Sequence, residues 1–427
     1  MGLVLLCLTN LIFPLAALGV VLSFLLSPRR KLIAHLSSEL KERFGLIRAD
    51  QVPPQAVWLH CASVGEVNAV RGLIKELKTV YKKPILVTTS TQAGKETAQK
   101  NPDIACALLA PLDFYPSCAR FIRVAQPYRL FVVEREIWPN MLQAAHQAHL
   151  PAALINGRIS QKSARAYGLI KPLFKQVLSP LAFAALQTQE DAKRYEALGI
   201  PADKIHVLGN VKYDALSDKP AQLPRAHEIL EKLGWLGHPI FVAGSTHPDE
   251  ETLLLRTVPE LLKSGTKLIF APRHLERMSE IEHTLQQSGL HYALAGQDSF
   301  DKSADVLCVN VMGLLCAFYA CATLTFVGGS IVQKGAHNLL EPALLGKTVL
   351  FGKYFFNTPD TAKALLEHGG GVLVSPTNFK ETVVRLLADR EQLDNMNAHA
   401  RQTAQSFQGA TAKTIGVITA YEQRTNA

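Results

Sequence analysis

Four stretches of this chain concentrate residue types that can move protons or hold anions. In Leu59-His60-Cys61-Ala62-Ser63-Val64-Gly65-Glu66, small residues turn the chain after an apolar run and Glu66 opens a helical one. Small residues admit a substrate close to the backbone, and an ionised Glu66 can take a proton from an attacking hydroxyl. A helix N-terminus also stabilises a carboxylate and lowers its basicity, so the competing reading is a residue placed for the helix dipole alone. In Val132-Val133-Glu134-Arg135-Glu136-Ile137-Trp138-Pro139-Asn140, two carboxylates straddle the end of an apolar run. They serve either a reacting centre or a strand-end ion pair with Arg135 or another neighbour. Lys212, in Gly209-Asn210-Val211-Lys212-Tyr213-Asp214, can neutralise a phosphate or carboxylate, or be an ordinary surface lysine. The fourth stretch is glycine-rich: Phe326-Val327-Gly328-Gly329-Ser330, then Gly335-Ala336-His337-Asn338-Leu339-Leu340-Glu341-Pro342-Ala343 as the opening of a helix. Glycines and a free helix N-terminus suit a phosphate. Asn338 and Glu341, at i and i+3 on one helix face, suit ribose or base edges. Arg273, in Pro272-Arg273-His274, adds a fixed guanidinium for phosphate. The alternative for Gly328 and Gly329 is a plain strand-to-helix turn.

The elements that must position these residues alternate along the chain. Apolar, β-rich runs lie at 57–61, 85–89, 130–134, 152–156, 182–188 and 205–209, and again at 240–244, 267–271, 306–311, 324–328, 348–352 and 371–374. Helix-length segments such as 66–80, 250–263 and 378–387 accompany them. Continuous apolar strands between helices imply parallel sheets covered on both faces, and ligands of such sheets bind beyond the C-terminal strand ends. Two such sets, joined by a polar, proline-containing stretch, predict an α/β chain of two Rossmann-like domains with a cleft between them. The 427 residues suit two cores rather than one. The boundaries expected are 51–214 for the first domain, 215–238 for a linker, 239–405 for the second domain and 406–427 for a terminal helix.

Residues 1–28 carry no charged side chain, and Leu3–Leu26 is almost wholly apolar. As a helix this run would be roughly 36 Å long, enough to cross a bilayer core of about 30 Å. Arg29, Arg30 and Lys31 follow, which keeps that flank cytoplasmic. No basic leader and no Ala-x-Ala cleavage site precede the body of the chain. The expectation is an uncleaved anchor over 1–28, then a basic amphipathic segment over 29–50. That segment either lies on anionic lipid or packs on the first domain. Lys plus Arg number 45 against 36 acidic residues, a net charge of +9, which suits phosphorylated ligands or an anionic membrane. No basic tract is interleaved with aromatics, so nucleic acid is not a partner. The seven cysteines form no CxxC pair and suit reduced thiols. A G-x-G-x-x-G after the first strand of either half, a phosphate loop of the G-x-x-x-x-G-K type, H-E-x-x-H, D-x-D and a G-x-S-x-G elbow are all missing.

Taken together, the stretches HCASVGE (60–66), TTSTQAG (88–94), PLDFYPS (111–117), EREIWPN (134–140), INGRIS (155–160), QTQEDAKRYEALG (187–199), LGNVKYD (208–214), GSTHPDEE (244–251), APRHLER (271–277) and FVGGSIVQKGAHNLLEPA (326–343) resemble one family in collinear order. It is that of the 3-deoxy-D-manno-oct-2-ulosonic acid (Kdo) transferases. The resemblance implies a GT-B fold, with an N-terminal acceptor domain, a C-terminal domain for CMP-Kdo, and a last helix returning to the first domain after about residue 405. It implies Glu66 as proton acceptor and Glu134 and Lys212 as transition-state stabilisers. For CMP it implies Pro272 and Arg273, Met312-Gly313-Leu314, and Asn338-Leu339-Leu340-Glu341. Leu314 departs from the acidic residue the family often has after Met-Gly, so any contact there falls to the backbone.

The implied reaction is inverting transfer of Kdo from CMP-Kdo to a hydroxyl of lipid IVA, the lipid A precursor. It belongs to lipopolysaccharide assembly on the cytoplasmic face of a bacterial inner membrane. The leaving CMP carries one phosphate and no D-x-D is present, so neither a metal nor a cofactor is expected. The alternatives are another inverting GT-B transferase using a UDP-sugar, and a membrane-anchored binding protein of this fold without catalysis.

Overall fold

The computed structural model describes residues 39–216 and 220–426. They fall into two units: the described residues up to Ala215 with those from Gln408 onward, and Leu216–Phe407. The expected anchor over 1–28, and residues 29–38 of the basic segment, lie outside the described residues. Among the described residues no helix is long and apolar enough to cross a membrane.

The first unit is built on seven parallel strands: β1 (Val57–His60), β2 (Ile85–Thr89), β3 (Cys106–Leu109), β4 (Arg129–Val133), β5 (Ala152–Gly157), β6 (Ala184–Leu186) and β7 (Ile205–Val207). Their order is β3-β2-β1-β4-β5-β6-β7. Each inner strand is apolar on both faces because both faces are covered. Trp58, Leu130 and Val132 point into a layer closed by Phe121, Met141 and Phe174 from the helices Tyr115–Ala125, Pro139–Gln147 and Lys171–Leu178. Val57, Leu59, Phe131 and Val133 point the other way, toward Leu73, Ile74 and Leu77 of Arg71–Tyr81 and Ile418 of Ala410–Asn426. Two carboxylates attach that last helix. Asp214 accepts from the backbone N–H groups of Gly409 and Thr411 at 2.6 and 2.5 Å, capping its start. Glu422 is gripped by Arg129 at 2.7 and 2.8 Å.

The second unit repeats the plan with β8 (Ile240–Thr246), β9 (Lys267–Pro272), β10 (Tyr292–Leu294), β11 (Val306–Cys308), β12 (Leu324–Val327), β13 (Val349–Phe351) and β14 (Gly371–Leu373), in the order β10-β11-β9-β8-β12-β13-β14 and all parallel. In each sheet the connectivity reverses direction at one place, between β1 and β4 and between β8 and β12. At such a switch point, loops diverge and open a crevice at the carboxyl ends of the strands.

The structure corrects several expectations. β3 and β10 are absent from the sequence reading. Both are edge strands of three or four residues rich in Ala and Leu, which carry little β signal. The helix expected over 66–80 is two, Val64–Ala69 and Arg71–Tyr81, divided at Val70 (φ −94°, ψ 8°). The expected linker 215–238 contains the helix Leu223–Leu233, which buries Ala226, Ile229, Leu230 and Leu233, with Trp235 buried after it. These apolar residues at helical spacing make the stretch part of the second unit. The described end of the basic segment packs on the first unit. There Glu42 takes Lys95 at 2.6 Å and the Leu109 N–H at 2.7 Å, and Arg43 donates to the Ser90 carbonyl at 2.9 Å. Cys61, Cys106, Cys118, Cys308, Cys316 and Cys321 are free thiols.

Candidate active site

Glu66 sits in the first turn of Val64–Ala69, behind an N-cap at Ser63 whose hydroxyl accepts from the Glu66 N–H. Its carboxylate turns back over the loop, and Oε2 accepts from the Ala62 N–H at 2.6 Å. Only 7% of Glu66 is exposed. Burial pushes its pKa from 4.5 up to about 7; the Ala62 hydrogen bond opposes this, while the charges of Glu136 and Glu134 add to it. The expected loss of basicity at a helix N-terminus is therefore outweighed by desolvation. A carboxyl that titrates near neutrality is poised to take a proton.

Glu134 follows β4, the strand beside β1, so the switch point brings it to the carboxylate of the β1 loop. Its backbone lies in the left-handed region at φ 58°, as does that of Asn156 at φ 52°, at the equivalent end of β5. Left-handed geometry is unfavourable for glutamate and tolerable for asparagine, and such strain concentrates at functional sites. The Glu134 carboxylate accepts from Arg158 Nε at 2.8 Å, with Asn156 Nδ2 at 3.5 Å from its other oxygen. The strand-end ion pair weighed from the sequence thus exists, with Arg158 rather than Arg135 as its cation. Glu136 accepts from the Trp138 indole at 2.7 Å. His60 is fully buried in edge contact with Trp138, and its Nε2 lies 4.0 Å from Glu136. Burial lowers the His60 pKa to about 4, so the ring is neutral.

Lys212 follows β7 in a single 3-10 turn, Val211–Ala215. Loss of hydration, and secondly the like charge of Arg158, push its pKa down, while Glu134 raises it. Glu66, Glu134 and Lys212 thus belong to one constellation of the first unit. Arg158, Asn156 and His60, to which the sequence reading assigned no role, complete it together with Glu136, the second of the two strand-end carboxylates weighed there. The signal available for Arg158 was its place just past an apolar run, the position that singled out Glu134.

In the second unit the expected phosphate cradle is already filled. Glu250, in the first turn of Pro248–Lys263, accepts from the N–H groups of Gly329, Ser330 and Ile331 at 2.9, 3.1 and 2.9 Å, and of His247 at 3.2 Å. These are the amides assigned to an incoming anion, and an internal carboxylate occupies them. Gly328 is required there because a Cβ would overlap the Ser245 carbonyl and the Thr246 backbone. The helix expected to open at 335 begins only at Leu340, after Gly335 at φ 91°. Asn338 therefore stands outside it, yet its amide donates to Glu341 Oε1 at 3.1 Å, so the two polar side chains do meet. Leu339, Leu340 and Leu314 are buried, which leaves only their backbone for a ligand. Met312 is 81% exposed, and Gly313 has φ 88°. Pro272 ends β9, and Arg273 is exposed with no ion-pair partner among the described residues. His337 and His247 approach to 3.4 Å, and burial lowers both pKa values, that of His247 to about 4. No group of acidic, histidine or cysteine side chains among the described residues has the arrangement of a metal site.

Two parallel seven-stranded sheets, each with its polar residues gathered at the switch point, define a GT-B-like protein. The fold is shared with a UDP-GlcNAc 2-epimerase from Neisseria meningitidis (TM-score 0.57, 13% identity, 86% of this chain and all of that one). A glycosyltransferase from Rickettsia africae shares it too (TM-score 0.57, 12% identity, 86% and 98%). These likenesses establish the fold alone. Sequence comparison goes further. The model of the 3-deoxy-D-manno-octulosonic-acid transferase family matches residues 38–215. The Kdo transferase of Haemophilus influenzae is 31% identical over 393 residues, covering 90% of this chain and 92% of that one. That of Bordetella pertussis is 29% identical over 392 residues, covering 88% and 90%. The chain belongs to the Kdo transferase family and is a glycosyltransferase of lipopolysaccharide biosynthesis.

Proposed function

We propose that this enzyme transfers Kdo from CMP-Kdo to a hydroxyl of lipid IVA, with inversion at the anomeric carbon. The observation that carries the reading is Glu66, a buried carboxyl at the β1–β4 switch point with its pKa raised to about 7. As the hydroxyl oxygen attacks the anomeric carbon, its proton passes to Glu66 and the bond to the CMP phosphate breaks on the opposite face. Glu134, held in one orientation by Arg158, and the Lys212 ammonium stabilise the charge that develops during this step. Arg273 meets the CMP phosphate, supported by the backbone at Pro272 and at Met312-Gly313-Leu314. The polar edges of Asn338 and Glu341, with the backbone of Leu339 and Leu340, meet the nucleoside. A single phosphate as leaving group, met by a guanidinium, requires neither a metal nor a cofactor. Residues 1–28 anchor the enzyme in the bacterial inner membrane with its catalytic body on the cytoplasmic face, the leaflet that holds its lipid acceptor. Confinement to that surface raises the effective concentration of a substrate that does not dissolve in water.

Incubating the detergent-solubilised full chain with lipid IVA and CMP-Kdo, then weighing the lipid, tests the reading. Each Kdo added raises the product by one sugar mass. Transfer from a UDP-sugar instead would replace the donor, and no product with either donor would leave a binding protein.

A further inference from the structure

Three carboxylates, Glu66, Glu134 and Glu136, surround the first unit's site, and on their own they would repel an anionic substrate from Glu66. The groups that offset them are arranged for more than pairing. Arg158 is pinned at its main chain, its N–H donating to the Glu134 carbonyl at 3.2 Å and its carbonyl accepting from the Tyr195 hydroxyl at 3.1 Å. Its Nε faces inward to Glu134. A guanidinium has five N–H donors in a rigid fork; the four on Nη1 and Nη2 have no hydrogen-bond partner among the described residues, and the side chain is 44% exposed.

Lys212 is brought to the same place by a separate chain of contacts. The Asn156 side chain accepts from the Val211 N–H at 3.1 Å and turns its amide toward Glu134. Asn210 accepts from the Lys212 N–H at 3.1 Å and donates to Gln187 at 2.9 Å, and Gln187 donates to the Asn156 carbonyl at 2.9 Å. Asn156 thus ties the Glu134–Arg158 pair to the backbone that carries Lys212. The Lys212 ammonium lies 4.9 Å over the Tyr213 ring and makes no ion pair among the described residues. Glu134 accordingly serves as counter-ion to Arg158, while the Lys212 charge and four guanidinium N–H groups stay uncommitted.

We infer that Arg158 and Lys212 form an anion site in the first unit that grips an oxyanion of a substrate, Arg158 by its outward fork and Lys212 as a point charge. The oxyanion is either a phosphate of the lipid acceptor or the carboxylate of the transferred sugar. That choice of ligand rests on the Kdo-transfer reading; the site itself does not.

Steady-state kinetics of the full chain with Arg158→Gln and Lys212→Gln tests it, with lipid IVA, dephosphorylated lipid IVA and CMP-Kdo each varied in turn. The expected result is a KM raised roughly 10- to 100-fold for one substrate. A rise for lipid IVA that disappears with the dephosphorylated acceptor assigns the acceptor phosphate; a rise for CMP-Kdo alone assigns the sugar carboxylate. If both variants melt like the wild type and neither KM moves by twofold, the site does not exist. Should Arg158→Gln fail to fold, Lys212→Gln decides by the same criterion. Should the wild type transfer no Kdo, the functional reading fails. The site is then judged by calorimetric binding of inorganic phosphate in an Arg273→Ala background. Equal heats with and without Arg158→Gln and Lys212→Gln would overturn it, and loss of the heat would sustain it.

Discussion

At the scale of single residues, the proposed chemistry depends on Glu66, a carboxyl whose pKa burial raises to about 7. Glu66→Gln keeps the size of the side chain and an oxygen for the Ala62 N–H but cannot take a proton, so turnover is expected to fall roughly 10²- to 10⁴-fold. CMP affinity, read by calorimetry, should stay within twofold, because Glu66 and the residues proposed for CMP belong to different units. The pH dependence has a sign that follows from the raised value. The base form is present above about pH 7, so kcat in the wild type rises as pH increases through 7 and levels off. Stability runs the other way. Between 4.5 and about 7 the unfolded chain has lost the Glu66 proton and the folded one has kept it, so wild-type stability falls across that window. Glu66→Gln has no such loss, and its melting temperature should exceed that of the wild type above pH 7 and converge with it near pH 4.5. A gap independent of pH would show that the carboxyl titrates normally. In the other unit, Arg273→Ala removes a guanidinium with no ion-pair partner among the described residues and should weaken CMP binding about 10-fold or more. Unchanged affinity by calorimetry would take Arg273 out of the site.

Secondary-structure elements convert these residues into a site, and the clearest case is Glu250. Its carboxylate collects four backbone N–H groups, three of them on a loop about eighty positions further along the chain, and so sets the conformation between β12 and the His337 turn. Glu250→Gln would set an NH₂ against these donors inside a buried pocket. It should cost roughly 2 to 4 kcal/mol in the melting of the second unit, with CMP affinity falling in parallel. A variant that melts normally would mean the loop holds its shape unaided. Such a contact explains what the sequence did and did not disclose. Val57–His60 and Ile85–Thr89 could be read as strands because both faces are buried, leaving uninterrupted apolar runs. Cys106–Leu109 and Tyr292–Leu294 could not, being short sheet edges. Glu66 and Glu134 stood out as charges at the ends of apolar runs. Asn156 and Arg158 did not, because their roles lie in contacts to Glu134 and Val211, more than twenty positions away in sequence. The glycines of 328–335 suggested an empty anion cradle, and only the fold could show that Glu250 fills it.

For the whole molecule the question is how an enzyme body meets a lipid. The described surface has no helix able to cross a bilayer, while the chain carries a net charge of +9 and an uncharged first 28 residues followed by Arg29, Arg30 and Lys31. Two means of attachment are proposed on these sequence features: insertion of 1–28, and electrostatic attraction of the basic residues to anionic lipid, worth about 1 kcal/mol for each cation near the surface. They differ in salt dependence, because surface attraction is screened within a Debye length of about 10 Å at 0.1 M salt and hydrophobic insertion is not. Deleting residues 1–28 should release the protein from sedimented membranes in 0.5 M salt while the full chain stays bound. At low salt the truncated form should bind vesicles containing anionic lipid and ignore neutral ones. CMP affinity should be unchanged by the deletion, since the residues proposed for CMP lie in Leu216–Phe407, and turnover on lipid IVA in mixed micelles should be largely kept, since Glu66, Glu134 and Lys212 remain. Salt-resistant attachment of the truncated protein would move the anchor to another part of the chain. A truncated form that ignores anionic vesicles at low salt would remove the basic residues from membrane recognition and leave insertion of 1–28 as the whole of it.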